Sequence, residues 1–112
     1  VSDINDVLDL IFTSMRTIRT ILHEGKEIKG AAKEGNLIAA LADRIPALVR
    51  EGVEESVRQR IGNLSGDMKG AALDLRAKSL AEDHTGARRA YSNLLKIYDE
   101  FLDLCDELLE LE

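Results

Sequence analysis

The sequence is short of the residues that build strands, cross-links and membrane spans. It holds no tryptophan, two phenylalanines, two tyrosines, one proline and one cysteine. A lone cysteine, Cys105, excludes an internal disulfide, so cysteine usage does not identify the redox compartment. Scarce aromatics argue against a β-rich fold. No apolar run nears the roughly 20 residues that cross a bilayer, so no membrane association is expected, and no signal-peptide pattern is visible. Basic charge is outweighed: 15 Lys and Arg stand against 21 Asp and Glu, for a net charge of −6. Phosphate binding needs a basic face that displaces counterions, so nucleic acid is not an expected partner.

What remains is a chain rich in Ala, Leu, Glu, Lys and Arg, the strong helix formers. Its 112 residues suit one domain, 1–112, with a core that needs neither disulfide nor structural metal. Ser2, Asp3 and Asp6 offer a helix start. Ile4, Leu8, Ile11, Met15, Ile18, Leu22 and Gly25 then recur at steps of four and three, which predicts one apolar stripe on a long first helix. That helix is expected to reach Glu34 and end at Gly35 and Asn36, residues suited to a left-handed cap. A second helix carries Ile38, Leu41, Ile45, Leu48 and Val49, with Pro46 imposing a kink or restart near Ile45. Phase at about 100° per residue keeps Val57, Ile61, Leu64, Met68, Ala71 and Leu75 on one seam of a third helix, so a break is expected near Gly52. The third helix runs to about Glu82, and Asp83 to Gly86 form the next turn. The fourth shows Ala87, Tyr91, Leu94, Tyr98, Phe101, Cys105 and Leu108. The second helix is too short to return the full length of the first, which calls for an extended stretch at Glu51 to Glu55. The expected fold is all-α, an antiparallel up-down-up-down four-helix bundle.

The order of long, short, long and long helices, with Ala32-Lys33-Glu34-Gly35-Asn36 closing the first hairpin and Ala81 to Ala90 the last, resembles the cytochrome c prime superfamily. That resemblance implies a periplasmic bundle around a ligand cavity; otherwise a cytoplasmic location is expected. The family's covalent haem motif, Cys-x-x-Cys-His, would align with Tyr98, Asp99, Glu100, Phe101 and Leu102, none of which performs that chemistry. The relationship therefore implies a haemless relative with Tyr98 and Phe101 filling the cavity, or a small-molecule, haem or metal binder using Met15, Met68, Tyr98 and Cys105. Met and aromatic residues at helical spacing also serve as ordinary core filler.

No catalytic arrangement is legible. His23 and His84 lack a companion at zinc-site spacing, and read as exposed helix-end residues. No Glu-x-x-His occurs, so the bundle di-iron pattern is missing. Cys105, on the core stripe of an acidic helix, is expected to be a buried inert thiol. No cofactor and no resident metal are expected.

Two features instead point to contact with another chain. Gly62, Gly66 and Gly70 lie opposite the seam of the third helix, where each costs about 1 kcal/mol relative to Ala. Either a neighbouring backbone packs closely there or Gly62 and Asn63 interrupt the helix. The fourth helix is also apolar beyond its seam, with Ile97, Leu104 and Leu111 on one flank and Leu95, Leu102 and Leu109 on the other. An isolated bundle helix needs a narrower stripe, so a homodimer surface is expected. Charge is uneven as well. Asp3, Asp6, Asp9, Asp103, Asp106, Glu107, Glu110 and Glu112 gather at the end holding both termini, and Lys26, Lys29, Lys33, Arg88 and Arg89 at the other. A basic partner or a weakly held divalent cation could use the acidic pole; a solvated face that aids solubility is the plainer account. The sequence thus reads as a non-enzymatic bundle acting by self-association or through another protein.

Overall fold

The structure, a computed structural model, describes residues 4–49 and 52–110, with side chains to Leu104. Four α-helices form an antiparallel bundle: α1 (Ile4–Glu24), α2 (Gly30–Arg44), α3 (Glu55–Leu80) and α4 (His84–Glu110). No strand occurs among the described residues. Each helix packs on the one before it, and α1 meets α4 over a shorter stretch to close the ring. The stripe residues Ile11, Met15, Ile18, Met68, Leu75 and Leu94 form one contiguous buried cluster with Phe101 and Leu104.

The first helix ends ten residues earlier than its periodicity suggests. Gly25 takes φ +70° and its N–H donates to the Ile21 carbonyl, the single-bond form of a left-handed cap. Ile28 is buried and pins the turn, and α2 begins at Gly30. Gly35 and Asn36 therefore lie inside a helix, and 32–36 closes no hairpin. Gly35 is needed for another reason: a Cβ there would stand 2.8 Å from the Ala72 carbonyl oxygen on α3. It lets two backbones approach where any side chain would part them. Ending α1 at Glu24 and starting α2 at Gly30 also removes the length mismatch. The 21 residues of α1 face the 15 of α2 plus a four-residue 3-10 turn, Ile45–Leu48, which starts where Pro46 forbids a continuing α-helix.

Gly52, at φ +92°, breaks the chain before α3 as its phase requires, and Glu54 is extended. From Glu55 to Leu80 the helix is continuous, so Gly62 and Asn63 do not interrupt it. Its end is a Schellman motif without glycine. Glu82 takes φ +56° while its N–H bonds Ser79 and that of Asp83 bonds Lys78. Asp83 then caps α4, accepting the Gly86 N–H at 2.9 Å, so the turn is 81–83 and His84 to Gly86 already belong to the helix.

Candidate association surface

The seams differ in what fills them. Between α2 and α3 the contact is made by small residues. Ala32, Gly35 and Ala39 follow one another at steps of three and four and are all buried; on α3, buried Ser65, Ala72 and Ser79 repeat every seven residues. Lys69 pairs with Asp43 at 2.9 Å, and Arg76 donates to Asn36 at 3.0 Å, along the rim of this seam. The Ser65 and Ser79 hydroxyls are buried without a hydrogen-bond partner.

The seam between α1 and α4 is built from large residues. Phe12 stacks on Tyr98 with ring centroids 6.0 Å apart, and the Tyr98 hydroxyl donates to the Leu8 carbonyl at 3.4 Å. These contacts set the level of the two antiparallel helices. Higher up, Arg19 approaches half-buried Tyr91: burial raises the Tyr91 phenol above its ordinary value, and the Arg19 charge opposes that in part. Leu95 and Leu102 lie three residues before and four after Tyr98, on the same edge of α4. Phe12 remains 47% exposed, Leu95 41% and Leu102 40%, so the seam presents an apolar strip to solvent. Flanking it on α1, Arg16, Arg19, Thr20, His23 and Glu24 line a shallow open cleft.

The residues singled out from the sequence divide accordingly. Met15, Met68 and Tyr98 are buried in the common cluster, as is Phe101. The side chains of Cys105 and Leu109 lie outside the described residues, as do those of Leu111 and of the acids at 3, 106, 107, 110 and 112. Leu95 and Leu102 share the surface just described, and Leu104 is buried. Gly62, Gly66 and Gly70 do not join them. They lie on the outer face of α3, toward the side that pairs with α2, and a Cβ at any of the three would meet nothing within 4 Å. No described backbone of the same chain packs there; within the chain, the close backbone approach occurs at Gly35. His23 and His84 are exposed at one end of the bundle. Among the described residues no cluster of His, Cys, Asp and Glu is arranged to hold a metal, and no helix is long and apolar enough to cross a membrane.

Sequence reasoning missed Phe12. One position past Ile11, it falls about 100° off the α1 stripe, the offset shared by Arg16 and Arg19 four and seven residues on. That second row of one aromatic and two cations was the available signal. No family model, curated protein or solved structure matches this chain.

Proposed function

We propose that this chain is a non-enzymatic helical bundle that acts by self-association, with the α1/α4 face as its contact surface. The carrying observation is the exposed strip of Phe12, Leu95 and Leu102 around the Phe12–Tyr98 stack. Large apolar side chains grouped on one seam, with charged residues on either side, match the anatomy of an interface core and rim. The face follows the 46 Å long axis of a molecule about 20 Å wide, which is room enough for the roughly 800 Å² per partner of a standard interface. Twofold pairing is the commonest way for one surface to satisfy itself.

Sedimentation equilibrium tests the reading. The expected mass is twice the 12.4 kDa of one chain, falling to a single chain in Phe12→Glu and in Leu102→Glu while the helical circular dichroism persists. A wild-type chain that stays monomeric throughout the micromolar range defeats it, and leaves the strip to a different protein.

A further inference from the structure

The same face carries charge in an order that fixes how two copies would meet. With Tyr98 level with Leu8 and Phe12, and Tyr91 level with Arg19, residues of α4 beyond Tyr98 lie toward the start of α1 and those before Tyr91 toward its end. Above the Phe12 and Leu95 level four basic residues, Arg16, Arg19, His23 and Arg88, are exposed on this face, with one acid, Glu24, beside them. Below it Asp9, Asp99 and Asp103 are exposed. None of these eight forms an ion pair with another described residue of its own chain. A chain of net charge −6 thus keeps three arginines and a histidine together on one half of this face.

From this, resting on the self-association just proposed, we infer that the partner is a second copy of this chain bound antiparallel about a twofold axis. The axis runs across the face at the level of Phe12 and Leu95, perpendicular to the helices, so that α1 meets α1 and α4 meets α4. Arg16 and Arg19 of each copy then lie toward Asp9 of the other, and Arg88 of each toward Asp99 of the other, with the Phe12 and Leu95 side chains of both copies in the centre. At 1.5 Å of rise per residue, Arg16 lies about 6 Å above Phe12 and Asp9 about 5 Å below it, while Arg88 lies about 10 Å above Leu95 and Asp99 about 6 Å below it, so rotation about that axis sets basic residues of one copy against acidic residues of the other. A twofold interface has to be its own complement, and a strip with an apolar middle, one basic end and one acidic end meets that condition. The parallel arrangement sets arginine on arginine and aspartate on aspartate, and is disfavoured by like-charge repulsion.

Reciprocal charge reversal reads the geometry directly. Arg16→Glu with Arg19→Glu in one chain, and Asp9→Arg in another, each place like charges across the axis twice. Each variant alone should dissociate roughly tenfold or more readily than wild type. An equimolar mixture should recover wild-type affinity as a heterodimer, since every pair in it is again of opposite sign. Wild-type dimers should also weaken in about 1 M NaCl, where the screening length falls to about 3 Å. Should either reversed chain lose its helical signal, Arg16→Gln and Asp9→Asn carry the same test as neutralisations, each loosening the dimer by a smaller factor. A wild-type dimer whose reversed variants dimerise unchanged, or whose mixture is not restored, overturns the twofold geometry and leaves self-association standing. A wild-type monomer removes both.

Discussion

The seam between α2 and α3 and the seam between α1 and α4 solve the same packing problem in opposite ways. The first brings two backbones together over Gly35, Ala39 and Ala72, and the absence of side-chain bulk is what permits the approach. The second holds its helices apart with Phe12, Tyr91 and Tyr98, and the bulk that spaces them also stays partly in water. Close approach gives dense packing that neither seam partner can enlarge. Wide spacing gives a ridge that the bundle does not cover. In one small domain the tight seam thus serves the fold, and the wide one is available for contact.

This contrast can be broken most forcefully at Gly35. Gly35→Ala should destabilise the chain by about 2 kcal/mol in urea melts, because its new methyl group meets a backbone oxygen that cannot rotate away. A neutral result would mean that α2 and α3 yield more easily than their geometry implies. The same substitution on the outer face should have the opposite sign: Gly66→Ala, with open space around its Cβ, should stabilise by about 1 kcal/mol through helix propensity. The smallest effect belongs to the wide seam and depends on pH. Burial raises the folded-state Tyr91 phenol above its unfolded value, so the folded chain holds that proton longer. The contribution is fully present below about pH 10 and is lost as pH rises through the raised folded value. Thermal melts of Tyr91→Phe should therefore decline less steeply than wild type on the alkaline side, and coincident alkaline limbs would show that the phenol is not desolvated.

Much of this architecture was legible from spacing alone. Ile11, Leu64, Met68 and Leu94, selected by their recurrence at three and four, are all buried, and the breaks at Gly52 and near Pro46 fall where phase and proline geometry put them. The first hairpin was not legible, because Gly25 and Gly35 both suit a helix end and Gly25 also fits the apolar stripe. Only the proximity of α3 separates them: it occupies the space beside Gly35 and leaves Gly25 free to turn. The glycines of the third helix were legible only as a cost, since the sequence does not record that Gly62, Gly66 and Gly70 have no described neighbour within the chain. The surface was half visible. Surplus leucine on α4 announced Leu95 and Leu102, whereas Phe12 needed the pairing of α1 with α4 before its place beside Tyr98 had meaning. The Schellman turn hid because Glu82 holds the position that glycine or asparagine normally marks.

The order in which the helices touch bears on how the chain reaches its shape. The three extensive seams each join helices adjacent in sequence, so their turns require little loop-closure entropy and can form from local encounters. Only the meeting of α1 with α4 must draw together segments some ninety residues apart, as the Tyr98 to Leu8 bond does. Local assembly followed by late closure places this chain among fast-folding topologies. The ridge that would recruit a second copy is thereby finished last, after the three local seams have formed.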